Sequence, residues 1–199
     1  MAGFTGFELY YCYMSIKKWR PISSQDISPS PWFPLEKRAY ELPGGKIVDD
    51  FYVTPLADVL LVIPITKEGK VVLVKQYKPG VDEITLEFPA GRKEPHHQNI
   101  LETAIEELAE ETGIHATNLE YFATIAGFTT KASERVYCYL AKDIEISQEQ
   151  KLDENEAIEV VEYSPAELDA LIYQGEVLSA ISIAAWVLAK RKFFSINLL

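Results

Sequence analysis

The hydrophobic pattern has its densest stretch in the middle of the chain. VLLVIPIT and KVVLVKQY, on either side of Glu68-Gly69, are rich in branched residues and present no polar face. Such runs predict central strands covered on both sides, and hence a sandwiched sheet. Upstream, apolar and polar residues roughly alternate in KRAYEL and KIVDDFYV across the Pro43-Gly44-Gly45 turn signal, which predicts a β-hairpin. The run RPISSQDISPSPWFP before it is dense in Pro and Ser and reads as an extended, turn-rich piece without a helix. Residues 1–13 are aromatic and uncharged except for Glu8, and read as an upstream extension.

Over residues 99–112 the period changes. Leu101, Ala104, Ile105 and Leu108 fall at helical spacing, acids occupy the other side, and Gly113 stands as a C-terminal stop, predicting an amphipathic helix. LEYFATIAGF, RVYCYLAKDI and IEVVEYS read as further strands. Ser164-Pro165 supplies an N-cap and first-turn pair for the helix AELDALIYQ, and a last helix covers about residues 179–192. No internal repeat or low-complexity tract interrupts this order.

Composition narrows the class. A chain of 199 residues, 48% hydrophobic, can bury a core and is expected to form one main domain with an N-terminal elaboration. With 19 Lys+Arg against 30 Asp+Glu the net charge is −11, which argues against a nucleic-acid partner and favours a protein that gathers divalent cations. Cys12 and Cys138 are too few for a zinc quartet or a disulfide framework and read as reduced thiols. With no apolar stretch long enough to span a bilayer and no basic-then-apolar N-terminal order, the expectation is a cytoplasmic protein with no membrane partner.

Glu107, Glu110 and Glu111 lie at i, i+3 and i+4 and project from one helix face, within an arc of roughly 100°. Glu102 and Glu106 extend the cluster, so like charges stand at neighbour spacing and repel. Hard oxygen donors in excess of nearby bases suit Mg²⁺ or Mn²⁺, although a solvated acidic face would show the same spacing. Just upstream, Glu87-Phe88-Pro89-Ala90-Gly91 would end a strand in a tight loop and let backbone approach a ligand closely.

The stretch EFPAGRKEPHHQNILETAIEELAEETGI resembles the Nudix box, a loop-helix-loop written G-x5-E-x7-R-E-U-x-E-E-x-G-U with U aliphatic. Gly91, Glu107, Leu108, Glu110, Glu111, Gly113 and Ile114 carry the match. The resemblance implies a Nudix α/β/α sandwich with a mixed central sheet over residues 56–199, and a small N-terminal antiparallel β elaboration over 17–55, preceded by the extension at 1–16. It also implies that Glu107, Glu110 and Glu111 hold the metals together with the backbone carbonyl of Ala90, with Glu107 and Glu111 as catalytic residues. The box departs from the pattern at its arginine, where Glu106 stands, and at its first glutamate, which falls on Gln98 or nothing, in a loop (PHHQ) one residue longer than the pattern. An acid at the arginine position is expected to reduce or alter turnover rather than abolish metal binding. His96 and His97 could add ligands, or simply face solvent in a polar turn.

Beyond the box the similarity runs from about residue 17 to 192 and resembles the branch acting on ADP-ribose and other nucleoside diphosphate sugars. It implies substrate-binding roles for Lys78 and Glu87 around VVLVKQYKPG and LEFPAG, and for Glu134 in AGFTTKASERVYCYLAKD. It also implies a general base from the acidic loop LDENEAIEVVEYS, where Glu154 and Glu156 are the candidates. A homodimer through the N-terminal elaboration is expected by the same analogy, and Trp19, Trp32 and Phe33 could serve dimer packing or stack on a base. Trp186 is expected in the core. Two rivals to hydrolysis stay open: a Nudix-fold nucleotide sensor of weak activity, and an acidic interaction protein whose stability ignores metal.

Overall fold

In the computed structural model, which describes residues 16–93, 96–152, 154 and 156–193, the apolar runs form strands of a mixed sheet. The chain makes two compact units, residues 1–53 and 54–199. Residues 1–15, with Cys12 and most of the expected N-terminal extension, lie outside the described residues.

The first unit is a three-stranded antiparallel sheet of β1 (Arg20–Asp26), β2 (Glu36–Glu41) and β3 (Ile47–Val53) in that order. β2 and β3 are the hairpin that the alternation predicts, and Gly45 takes φ +81° in its turn. β1 takes up the first half of the run read as extended and pairs it with β2. Its Pro21 stands beside a register shift on a strand at the sheet's edge, where a residue without an N–H costs no ladder bond. Trp19, Tyr40 and Phe51 pack edge to face with ring centroids 5.7–5.9 Å apart.

In the second unit the sheet order is β10-β5-β4-β9-β8, with β6 also on β5 and β7 on β4. The strands are β4 (Val59–Thr66), β5 (Val71–Lys78), β6 (Glu83–Glu87), β7 (Ala90–Arg92), β8 (Leu119–Ile125), β9 (Val136–Ile144) and β10 (Ile158–Tyr163). β4 and β9 run parallel and the other pairs antiparallel.

The alternation of β4 sends Leu61, Ile63 and Ile65 to one face, where they pack with Leu168 of α2 (Pro165–Gln174) and Trp186 of α3 (Ala180–Phe193). Leu60 and Val62 go to the other, against Ala104 and Leu108 of α1 (Ile100–Thr112). Helices on both faces explain why β4 and the first half of β5 carry no polar side: the fold is the expected α/β/α sandwich. The second half of β5 departs from that burial, and Tyr77 is exposed. Ser164 caps α2 in a capping box with Glu167, as its position before Pro165 predicts.

The apolar stripe of α1 is rotated by one residue from the expected one. Leu101 is 39% exposed, and Ile100 packs on the core in its place, in line with Ala104, Leu108 and the inward-turned Glu111. Adjacent Ile and Leu leave the periodicity undecided between two registers; the contact that draws Glu111 inward selects one. Among the described residues no helix is long and apolar enough to cross a membrane.

Candidate active site

The acids of α1 are divided among different tasks. At the helix start, the Asn99 side chain accepts hydrogen bonds from the Leu101 and Glu102 amides, while Glu102 accepts from the Gln98 amide at 2.9 Å. Glu106, one turn on, meets His97 with Nε2 and Oε2 2.5 Å apart. Glu107, Glu110 and Glu111 line a cavity of about 470 Å³.

Two backbone features place this face of the helix. Gly91 lies against Glu107, and a Cβ there would overlap its carboxylate. The Ala90 amide donates to Glu111 Oε2 at 3.1 Å, pulling a glutamate that is only 5% exposed onto the end of β7. Close backbone approach at the Pro-Ala-Gly bend is therefore realised, with the chain's own glutamates as the groups approached.

Burial and crowding shape the electrostatics. Desolvation, followed by the charges of Glu110 and Glu156, pushes Glu107 up to about 7. Glu111 is pushed up to about 8, again chiefly by desolvation and next by Glu107, while the Ala90 hydrogen bond and Lys78 work the other way. At neutral pH the site therefore carries more potential negative charge than the folded protein alone accommodates.

Cations stand on the same walls. Lys78 lines the cavity and pairs with the half-buried Glu87 at 3.3 Å, and Thr85 donates to Glu87 at 3.1 Å. Arg92 and Lys151 also line it, and neither announces itself in the sequence. Arg92 arrives because β7 pairs with β4. Lys151 arrives because its segment is tied to the C-terminal end of α1. There the Lys151 amide donates to the Glu110 carbonyl at 2.9 Å, and Gln150 Nε2 donates to the carbonyls of Glu111 at 2.5 Å and Ile158 at 3.2 Å. Gly113, at φ +70°, closes the helix and accepts from Ser147 and Gln148 at 3.2 Å each.

The profile of the NUDIX domain matches residues 55–181, which contain this whole cavity. The chain belongs to the Nudix family. It is 32% identical over 165 residues to an ADP-ribose pyrophosphatase of Bacillus subtilis (strain 168), covering 81% of this chain and 86% of that protein. It is 29% identical over 170 residues to a methanol dehydrogenase activator of Bacillus methanolicus, covering 83% and 89%. A solved structure described as an ADP compounds hydrolase superposes with a TM-score of 0.79 at 20% identity, over 91% of this chain and 97% of that one, and so shares the fold. The identity to the Bacillus subtilis protein places the chain on the ADP-ribose pyrophosphatase branch of the family.

Within this Nudix box, Ala90, Glu107, Glu110 and Glu111 share one cavity with Lys78 and Glu156, and Glu156 is near enough to raise both Glu107 and Glu111. Glu87 reaches the cavity through Lys78. Exposed Glu154 is not among the cavity-lining residues. Glu134 is not either; its side chain lies near Gly127, and its Oε2 is buried without a hydrogen-bond partner among the described residues. The two departures from the box turn out to touch. Counted from Gly91, the pattern's first glutamate falls on His97 rather than Gln98, and His97 is buried against the acid at the arginine position. The pattern's acid and base have exchanged sides.

Proposed function

We propose that the chain is a metal-dependent Nudix pyrophosphohydrolase that splits the diphosphate linkage of ADP-ribose or a related nucleoside diphosphate sugar. The products are a nucleoside monophosphate and a sugar phosphate. The observation that carries this reading is the convergence of half-buried Glu107 and buried Glu111 with Glu110, Glu156, Lys78, Arg92 and Lys151 on one cavity, where burial raises the proton affinity of the first two.

Hard carboxylate oxygens with raised proton affinity fit Mg²⁺ or Mn²⁺, which would take the place of those protons. Glu107, Glu110 and Glu111 would hold the ion, with the Ala90 carbonyl as the further donor that the family implies. Bound there, it supplies positive charge that polarises phosphoryl oxygens and acidifies water. Lys78, Arg92 and Lys151 neutralise and orient the diphosphate, and Glu87 fixes the Lys78 ammonium by their ion pair. Glu156, on the cavity wall, takes the proton of the water as its oxygen bonds to phosphorus and the bridging P–O bond breaks. Glu154, in the same acidic stretch, is the alternative base, and Glu134 enters no step.

Incubation with ADP-ribose and Mg²⁺ should release AMP and ribose phosphate, and Glu111→Gln should suppress it. Tight ADP-ribose binding with no AMP would instead support the second reading, a nucleotide sensor. That reading draws on the exchanged His97–Glu106 pair and on the relative named as an activator. We extend the proposal to a homodimer through residues 17–55, supported by the exposed Trp32 and Phe33 of that unit.

A further inference from the structure

The hydrolase reading leaves His96, His97 and Glu106 without a task, although all three line the cavity. We propose that they form a second metal site, for a first-row transition ion such as Zn²⁺, on the cavity wall and separate from the carboxylates of Glu107, Glu110 and Glu111. The inference goes beyond the hydrolase reading and does not depend on it.

The donor set is the first argument. Two imidazoles and a single carboxylate suit Zn²⁺, Co²⁺ or Ni²⁺, whereas Mg²⁺ prefers oxygen donors and water. Geometry is the second. One ligand atom from each residue lies within 4.8 Å of the other two. His97 Nε2 and Glu106 Oε2 are 2.5 Å apart, and His96 Nε2 and Glu106 Oε2 are 3.8 Å apart. Tetrahedral ligands about 2.0–2.1 Å from zinc stand roughly 3.3 Å from one another. The first pair therefore opens and the second closes, each by less than about 1 Å, which side-chain rotation supplies.

The site is also partly built beforehand. The His97 side chain is 6% exposed, Glu106 is fixed on α1, and the His96 ring lies 3.9 Å from that of His97, centroid to centroid. An ion would stand between His97 Nε2 and the Glu106 carboxylate, in place of their direct contact, and would bind the imidazole through a nitrogen that carries no proton. The His96 side chain is 67% exposed, so three protein ligands leave a fourth position open to water or to a phosphate oxygen in the cavity. The acids of the neighbouring helix turn add a favourable field for a cation.

Co²⁺ titration of the intact chain in saturating Mg²⁺, read by visible absorption and by Zn²⁺ competition, tests the site. The wild type should bind Co²⁺ at micromolar concentration with the spectrum of a nitrogen-ligated tetrahedral ion. His96→Ala, at an exposed position that does not threaten folding, should weaken binding by at least about tenfold. Glu110→Gln and His115→Ala should leave it unchanged. Wild-type chain that binds no Co²⁺, His96→Ala that binds as well as wild type, or loss of binding on Glu110→Gln would each overturn the proposal. The measurement needs no substrate, so its failure is distinguishable from failure to release AMP.

Discussion

Glutamine at position 111 keeps the shape of a buried side chain and removes a charge that the folded state tolerates poorly. Its amide oxygen can still accept from the Ala90 N–H. At pH 8.5 without metal, Glu111→Gln should therefore melt higher than wild type by at least about 3 °C, since 1 kcal/mol is worth roughly 2–4 °C in a chain of this size. AMP release should fall by at least about a hundredfold; a variant that melts lower and still hydrolyses would contradict the assigned role. The His97–Glu106 contact reverses the expectation for the other conspicuous residue. Glu106→Arg alone sets a cation against His97, so stability and turnover should fall, whereas His97→Glu with Glu106→Arg should regain much of both. Contacting residues couple by about 0.5–3 kcal/mol, so a double-mutant cycle on melting temperature returns that coupling, or shows none and sinks the idea. Spacing alone places Glu107, Glu110 and Glu111 on one face, but not the His97 contact. The loop's extra residue shifts the count by one, and a contact of that kind depends on the path of the loop in space.

Among the elements, those whose residues agree at every level are legible without a structure. β4 is apolar on both faces because helices cover both, and α2 carries its start signal in Ser164, Pro165 and Glu167. Elements held by partners distant in sequence are not. β7 has three residues and exists through its pairing with β4, and β1 lies in a Pro- and Ser-rich run whose extended backbone is legible but whose pairing with β2 is not. The tether between α1 and the loop that leads to Glu156 is equally silent, because Gln150 is an ordinary polar residue until its amide reaches the carbonyls of Glu111 and Ile158. Gln150→Ala leaves both carbonyls without that donor at a cost of about 1–2 kcal/mol. Hydrogen exchange over residues 151–157 should accelerate, and kcat should drop more than KM rises, because the loop carries the proposed base rather than the main phosphate contacts. Equal loss in both constants would place Gln150 in substrate binding instead.

For the whole molecule, the proposed dimer is checked first by sedimentation. Trp32 is 82% exposed and Phe33 also lies open, so Trp32→Glu with Phe33→Glu should convert a dimeric species to monomer; an already monomeric wild type would remove the proposal. The acids of the cavity set a second global property, the dependence of stability on pH. Glu107 and Glu111 hold protons up to about 7 and about 8 in the folded chain, against an ordinary 4.5. The folded state therefore keeps protons that the unfolded state surrenders above about pH 4.5. Their contribution is full below that value, falls as pH rises, and is lost once pH passes through about 7 to 8. In EDTA the melting temperature should decline across this window, by an amount on the order of a few kcal/mol for the two groups together. Saturating Mg²⁺ takes the place of the retained protons, so the decline should flatten, with about 2.7 kcal/mol gained at pH 8.5 when the ion is at one hundred times its dissociation constant. General repulsion in a chain of net charge −11 also steepens with pH, but it would persist in Glu107→Gln with Glu111→Gln. If the decline belongs to the cavity, the double variant loses both the slope and the response to Mg²⁺. A variant that keeps the wild-type slope, or a wild type equally pH-sensitive with and without the ion, would show that these glutamates do not gather a cation.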